Sequence, residues 1–146
     1  MSFNNILVPT DGSEFTKSAI NKSIEMAKVT GATITAVYVL DQSVYSTMPL
    51  DSTVVNLYDT LKAEGESAVN YVKEKCDEAS VPVKTEIVEG IPSKAITTMS
   101  KGYDLIVMGT LGKKGMTKVL MGSVAEKVIE KSQCPVMVIS AVANTA

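Results

Sequence analysis

The chain has 146 residues, of which 45% are hydrophobic, and a formal net charge of −2 at neutral pH. This length predicts one domain over residues 1–146 with a large core, and the acidic balance argues against a nucleic-acid-binding face. The absence of histidine excludes the usual general base and the usual catalytic triads.

The apolar runs are too short for a membrane span, which needs about 18 residues. Residues Met1–Asn5 lack the basic start and long apolar core of a secretory signal. Cys76 and Cys134 are isolated and show no CxxC spacing, so we interpret both as free thiols rather than zinc ligands. Together these features predict a cytoplasmic protein without a membrane partner.

The first predicted strand, Asn5–Val8, ends at the loop Pro9–Gly12. From Ser13 to about Thr30 apolar residues recur at helical spacing, and Gly31 suits a C-terminal cap. The residues expected to be buried by this helix are Phe15, Ala19, Ile20, Ile24 and Ala27.

Asp11 allows two interpretations. The sequence Asp11-Gly-Ser-Glu14 fits a capping box at the start of the helix. A carboxylate that follows a strand is also well placed to bind a ribose hydroxyl or a phosphate-bound Mg²⁺. The sequence does not decide between the two.

A β-branched strand follows over Thr33–Leu40, and the connection through Gln42–Thr53 is long enough to be mobile or lid-like. A second long helix ends near Ala79. Its expected core positions are Leu57, Leu61, Ala68, Val69 and Val72.

Strand and helix patterns continue to alternate to the end of the chain. The remaining predicted elements are a strand at Pro82–Val88, a short helix from Pro92 to about Ser100, a strand at Leu105–Met108, a helix at Ser123–Lys131 and a strand at Val136–Ser140. This alternation predicts an α/β fold in which a parallel sheet carries helices on both faces.

The segment Gly109–Ser123 carries the strongest functional signal, because glycines cluster where a buried strand ends and a Gly-Ser pair precedes a helix. A glycine backbone can approach a phosphate closely, and a helix N-terminus offers free N–H groups and a positive dipole end. Ser123-Val-Ala-Glu126 also fits a capping box, which is compatible with an anion site. The lysines of this segment, Lys113, Lys114 and Lys118, are either solvated loop residues or charges that steer a phosphate.

Ligands of open parallel sheets bind beyond the carboxyl ends of the strands, where the strand order reverses. Pro9–Gly12 and Gly109–Ser123 are the two strand-to-helix connections with unusual glycine and acid content. If their strands are neighbours, as in the order 3-2-1-4-5, both connections flank a single crevice. The chain contains neither G-x-x-x-x-G-K-[ST] nor a G-x-G-x-x-G after the first strand, so nucleotide binding would differ from the P-loop and Rossmann modes.

With these residues the chain resembles the universal stress proteins of the ATP-binding type. The motif of that family, G-x2-G-x9-G-[ST], is complete in Gly109, Gly112, Gly122 and Ser123. Ile6–Ser13 resembles the family's first strand and loop, and Cys134–Ile139 resembles its last strand. The resemblance therefore covers almost the whole chain.

The resemblance implies a Rossmann-like fold of the adenine nucleotide alpha hydrolase type, with five parallel strands in the order 3-2-1-4-5. It implies ATP, with Mg²⁺, in the crevice between the first and fourth strands. Gly109, Gly112, Gly122 and Ser123 would hold the phosphates and the ribose.

The resemblance also implies contacts from the other side of the crevice. Pro9, Thr10 and Asp11 would line the nucleotide, and the backbone near Val39 would meet adenine. Met108 and Val124 adjoin matched positions and are included in the candidate site.

Homodimerisation through the last strand is a further implication of the resemblance. It agrees with the composition of Val136–Ile139, which is too apolar to remain an unpaired sheet edge.

The leading hypothesis is a nucleotide-dependent sensor or regulator in a stress response, acting as a homodimer on a protein partner that the sequence does not name. One alternative is a slow Mg²⁺-dependent ATPase assisted by Lys113 or Lys114. Another is a dimeric interaction module that binds no nucleotide. The intact glycine motif argues against the module, and the lack of histidine and of a paired acidic base argues against an efficient enzyme.

Overall fold

The computed structural model describes residues 3–111 and 121–140, which form five parallel strands and four α-helices. The strands are β1 Asn5–Pro9, β2 Thr33–Asp41, β3 Val83–Gly90, β4 Leu105–Gly109 and β5 Val136–Ile139. The helices are α1 Lys17–Thr30, α2 Ser52–Glu78, α3 Pro92–Met99 and α4 Ser123–Lys131.

The strand order is β3-β2-β1-β4-β5, which confirms the expected order 3-2-1-4-5. β1 is the central strand, with Leu7 opposite Thr35 of β2 on one side and opposite Ile106 of β4 on the other. The chain moves from β1 outward to β3 and then returns to β4. The order therefore reverses between β1 and β4, which is where a ligand crevice is expected.

The sheet is covered on both faces, so its central strands are continuous apolar runs rather than alternating ones. On β1, Ile6 and Val8 pack into the core beneath α1 and α2, whereas Leu7 packs into the core beneath α3 and α4. All three side chains are fully buried. Two cores on opposite faces hold the carboxyl ends of the strands in a fixed arrangement.

The first helix begins later than the sequence predicts. Glu14–Thr16 forms a 3₁₀ turn, and α1 begins at Lys17 rather than at Ser13. The Thr16 amide donates to the Ser13 carbonyl at 3.2 Å, and the Thr16 hydroxyl donates to the same oxygen at 2.9 Å. Two hydrogen bonds therefore stabilise the 3₁₀ turn. The predicted C-terminal cap is confirmed: Gly31 is left-handed, with φ +77°, and its amide donates to Ala27.

The predicted core positions of the first two helices are confirmed in part. Those that are buried are Ala19, Ile20, Ala27, Ala68, Val69 and Val72, and those that are half-buried are Phe15, Ile24, Leu57 and Leu61. α2 has 27 residues and so spans about 40 Å, whereas the nine residues of β2 span about 30 Å. The first turns of α2 therefore extend past the sheet, which leaves Leu57 and Leu61 partly exposed.

Within the described ranges, no helix combines the length and apolar character that crossing a membrane requires.

Candidate functional site

The β1–α1 loop and the end of β4 lie side by side at the carboxyl edge of the sheet. Pro9 is the buried last residue of β1, and the Thr10 amide donates to the Val37 carbonyl of β2 at 2.9 Å. On the other side β1 pairs with β4, which ends at Gly109. The described parts of the two connections that the sequence singles out therefore lie beside each other, at the point where the strand order reverses.

Hydroxyl groups fix the course of the β1–α1 loop. The Thr10 hydroxyl accepts from the Gly12 amide at 3.1 Å and lies 3.3 Å from the Thr16 hydroxyl. Both threonines are buried. Sequence patterns do not predict this role of Thr16, because it depends on the contact between its hydroxyl and that of Thr10.

Asp11 does not cap the first helix, so the capping-box interpretation is wrong. Its carboxylate accepts from the Ser13 amide at 2.9 Å, which is a local Asx turn, and the residue that precedes α1 is Thr16. The capping interpretation fails because the 3₁₀ turn separates Asp11 from α1. A role of Asp11 toward a ribose or a phosphate-bound cation remains a prediction.

Gly109 lies too close to neighbouring backbone to carry a side chain without a shift. The neighbouring group belongs to the protein's own first loop and is not a ligand. A Cβ at Gly109 would lie 3.0 Å from the Phe15 carbonyl oxygen and 3.7 Å from the Thr16 Cα. Gly109 is the last residue of β4 and has no positive φ, so this close contact, rather than a special backbone conformation, requires the glycine. Its glycine lets the 3₁₀ turn of the first loop pack directly on the end of β4.

Gly122, rather than Ser123, is the N-cap of α4. Its φ of −76° and ψ of 164° are extended, and Ser123 is the first helical residue. The expected capping box at Ser123 is therefore wrong, because the side chain begins one position too late to cap. A glycine N-cap has no side chain to bond the first-turn amides of α4.

The two ends of the β4–α4 connection are joined. The Gly122 amide donates to the Thr110 carbonyl at 2.6 Å, and a Cβ at Gly122 would lie 3.3 Å from that oxygen. Thr110 is buried, and its own amide donates to Ile139 at 3.1 Å. The glycine at position 122 is therefore explained by this close contact and not by a positive φ. The contact brings the N-terminus of α4 against the end of β4.

Three apolar candidates share the α3/α4 face of the sheet. Met108 is buried in the core beneath these helices, and Val39 and Val124 pack against that core while remaining half-buried. They come from β2, β4 and α4, whose ends meet at the carboxyl edge. We call these three residues the apolar wall; Val39 and Val124 are its partly exposed members, and Met108 is buried behind them in the same core.

Gly112, Lys113, Lys114 and Lys118 lie outside the described residues. The expectations placed on them stay predictions.

The long β2–α2 connection is attached to its neighbours by Tyr45. Its hydroxyl donates to Glu89 of β3 at 2.7 Å, and its ring meets Tyr58 of α2 edge-on, with centroids 5.7 Å apart. Burial, followed by the hydrogen bond to Glu89, raises the pKa of Tyr45 to about 12. Residues 42–44 form a 3₁₀ turn, so the connection is not wholly irregular.

The described residues offer little conventional catalytic chemistry. Burial raises the pKa of the Cys76 thiol to about 11 and raises that of Cys134 as well, so both thiols stay protonated at neutral pH. Among the described residues, no group of three metal-ligating side chains is found. A bound Mg²⁺ would therefore depend on phosphate oxygens for most of its ligands.

Comparison with known proteins identifies relatives of the whole described fold. The model of the universal stress protein family matches residues 2–140. A universal stress protein of Methanocaldococcus jannaschii is 40% identical over 139 residues, covering 94% of this chain and 82% of the relative.

Solved structures give the same result. The universal stress protein UspA from Lactobacillus plantarum superposes with a TM-score of 0.84 at 32% identity, covering 95% of this chain and 99% of the other. A universal stress family protein from Arabidopsis thaliana with AMP bound has a TM-score of 0.68, covering 94% of this chain and 91% of the other. At 19% identity, that likeness shows a common fold.

Proposed function

The chain belongs to the universal stress protein family, and on that premise we propose that it is a small cytoplasmic protein that binds ATP with Mg²⁺. Its nucleotide state would regulate a protein partner in a stress response, and the active form would be a homodimer. A protein of the same fold from Arabidopsis thaliana was solved with AMP bound, which supports an adenine nucleotide as the ligand.

The observation that carries the proposal is the convergence of the β1–α1 loop, the end of β4 and the N-terminus of α4 at the strand-order reversal. The Gly122–Thr110 hydrogen bond brings the first turn of α4 against the end of β4. The β1–α1 loop lies across the same edge, beside β4. First-turn amides and the positive end of the helix dipole stabilise a phosphate.

The proposed orientation of the nucleotide follows from the chemistry of the two sides. Phosphates lie at the amides of Ser123 and Val124, where no N-cap side chain competes. The adenine contacts the apolar wall of Val39 and Met108, and the ribose lies against Pro9 and Thr10. Asp11 contributes a carboxylate to a ribose hydroxyl or to the Mg²⁺ held by the phosphates.

The proposed dimer forms through β5, which is an edge strand of the sheet. Its four residues, Val136–Ile139, are apolar and half-buried. Pairing of two β5 edges would cover their apolar side chains and satisfy their free backbone groups.

Thermal unfolding with and without Mg-ATP tests the nucleotide proposal. Ligand at about 100 times its dissociation constant stabilises the native state by about 2.7 kcal/mol, which for this chain length is a rise in Tm of roughly 5–10 °C. The absence of a rise with ATP, ADP and AMP would refute nucleotide binding.

Two glycine variants locate the site. Gly122→Val introduces a side chain 3.3 Å from the Thr110 carbonyl and is expected to abolish the rise. Gly102→Val is the matched control, because a Cβ there has no neighbour within 4 Å and Gly102 precedes β4 at the opposite edge. Equal rises in Tm with Mg-ATP in both variants would show that Gly122 is not part of the nucleotide site. Phosphate release over hours then separates a nucleotide-binding regulator from a slow ATPase.

A further inference from the structure

Thr16, in the 3₁₀ turn before α1, lies between the two sides of the proposed nucleotide site. Its hydroxyl oxygen lies 3.3 Å from that of Thr10 in the β1–α1 loop. Its Cα lies 3.7 Å from the place that a Cβ of Gly109 would take at the end of β4. Only 6% of Thr16 is exposed, and its hydroxyl bonds within the protein, so an effect of Thr16 on a ligand passes through these neighbours.

The direction of the hydrogen bonds in the loop follows from the number of protons available. The Thr16 hydroxyl has one proton and donates it to the Ser13 carbonyl, at 2.9 Å, which can only accept. The contact between the two threonine hydroxyls is therefore a hydrogen bond donated by Thr10. The Thr10 oxygen in turn accepts from the Gly12 amide at 3.1 Å. One chain of hydrogen bonds thus runs from Gly12 through Thr10 and Thr16 to Ser13.

The same chain is connected to the Asp11 carboxylate. Ser13 accepts from Thr16 through its carbonyl, and it donates through its amide to Asp11 at 2.9 Å. In the proposed function Asp11 contacts the ribose or the Mg²⁺ held by the phosphates. A carboxylate that is already in place when the nucleotide arrives makes binding less costly in conformational entropy.

Valine has nearly the shape of threonine but no hydroxyl, so Thr16→Val separates the hydrogen bonds from the packing. In this variant the buried Thr10 hydroxyl loses its acceptor, and the Ser13 carbonyl keeps only the amide of residue 16 as a donor. A buried hydroxyl without a partner is unfavourable. The loop is therefore expected to populate conformations in which Thr10 finds another partner.

We propose that Thr16 is a positioning residue of the nucleotide site, which keeps the β1–α1 loop in the conformation that binds Mg-ATP before the nucleotide arrives. The inference rests on the proposed function and concerns a side chain that does not touch the ligand. A ligand that binds one loop conformation has an apparent dissociation constant equal to the intrinsic value divided by the fraction of chains in that conformation. Loss of the hydroxyl therefore weakens binding by slowing association.

A titration with Mg-ATP separates association from dissociation. Calorimetry gives the dissociation constant Kd, NMR line shapes give the dissociation rate constant koff, and koff/Kd is the association rate constant. We expect Thr16→Val to raise Kd about ten-fold and to leave koff within about two-fold, so that association slows about ten-fold. Thr16→Ser retains the hydroxyl and is expected to stay within about two-fold of the parent in both constants.

Thr30→Val is the matched control, because it removes a threonine hydroxyl at the far end of α1. The Thr30 hydroxyl also donates to a carbonyl, that of Met26, at 2.8 Å. We expect its Kd to stay within about two-fold of the parent, because the site is distant. Thr16→Ala is a second variant without the hydroxyl, and it is expected to show the same slow association if Thr16→Val does not fold by circular dichroism.

Hydrogen exchange without nucleotide tests the loop by itself. The Gly12 amide is bonded to the Thr10 hydroxyl. Its exchange is expected to be about ten-fold faster in Thr16→Val and unchanged in Thr16→Ser.

Several results would overturn the inference while the parent still binds Mg-ATP. They are an unchanged Kd in Thr16→Val and Thr16→Ala, a faster koff with unchanged association, an equal loss of affinity in Thr30→Val, and unchanged exchange of the Gly12 amide. The faster koff would mean that Thr16 acts in the bound complex, and the loss in Thr30→Val would mean a general effect of stability. A parent that does not bind Mg-ATP would instead refute the proposed function, and this role of Thr16 with it.

Discussion

At the scale of single residues, several glycines are explained by what lies beside them. Gly65, in the middle of α2, faces the ring of Tyr38, and a Cβ there would lie 2.6 Å from the ring carbon Cδ1. Tyr38 is buried, with 4% of its surface exposed, so the ring has little room to move. The glycine is retained in a helix because the aromatic ring occupies the place of its side chain.

Gly65→Ala is therefore expected to destabilise the fold, by about 1–3 kcal/mol, although alanine is the better helix former. Chemical unfolding in urea measures the change. Gly102→Ala is the control, since its Cβ meets open space, and we expect a change within about 0.5 kcal/mol there. A stabilised Gly65→Ala protein would show that the ring and the helix are not in contact.

The buried thiol of Cys76 predicts a pH dependence of stability. Its pKa rises from an ordinary value of 9.0 to about 11 in the folded chain, because burial disfavours the thiolate. Between these values the unfolded state releases the proton first, so the free energy of unfolding falls as pH rises from about 9 to 11, by up to about 1.4 kcal/mol per unit. Below pH 9 this group contributes no slope.

Cys76→Ala isolates that contribution. We expect the variant to be less stable at every pH because it leaves a cavity, but to lose stability less steeply than the parent between pH 9 and 11. Parallel curves in urea titrations at both ends of this range would contradict the assignment.

Residue roles could be predicted from the sequence only where one local signal determines them. Gly31 is such a case, because glycine adopts the left-handed C-terminal cap of a helix without steric cost. Ser123 is the opposite case. Whether Gly122 or Ser123 caps α4 depends on the hydrogen bond from Gly122 to Thr110, and a sequence motif does not contain that contact.

At the scale of elements, the start of α2 depends on one side chain. The carboxylate of Asp51 accepts from the amides of Thr53 at 2.8 Å and Val54 at 3.3 Å. This cap and the Tyr45 contacts with Glu89 and Tyr58 fix the two ends of the β2–α2 connection. The sequence predicts a mobile or lid-like connection there, and these contacts are the ones that a movement of its ends would have to break.

Asp51→Ala should cost about 1 kcal/mol of stability, because it leaves two amides of the first turn without their acceptor. Asp51→Asn retains an acceptor oxygen and should stay within a few tenths of the parent. The measurement is thermal unfolding followed by circular dichroism. Equal Tm values for the alanine and asparagine variants would show that the cap does not contribute.

Apolar periodicity in the sequence predicts which helices and strands exist, but it does not predict all of their first and last residues. The buried runs of β1, β2 and β4 were located correctly since two covered faces leave no polar alternation to interpret. Periodicity predicts a start of α1 at Ser13 instead of Lys17, because a 3₁₀ turn of three residues, Glu14–Thr16, is too short to show a period of its own.

At the scale of the whole molecule, the sheet order decides where function is sought. Periodicity alone predicted alternating strands and helices without an order, and the resemblance supplied the order 3-2-1-4-5 that the structure confirms. This order brings the first loop beside β4, and the Gly109–Phe15 contact joins the two connections directly. Long-range contacts of this kind depend on the complete fold, so no single segment contains them.

An NMR titration with Mg-ATP tests the central claim most directly, because it reports the position of the ligand residue by residue. We predict that amide shifts concentrate at Thr10–Ser13, Val39–Asp41 and Gly122–Ala125, and that the amides of Gly31 and Gly102, at the opposite edge, stay unchanged. The absence of shifts, or shifts confined to residues of α2, would contradict a nucleotide site between β1 and β4.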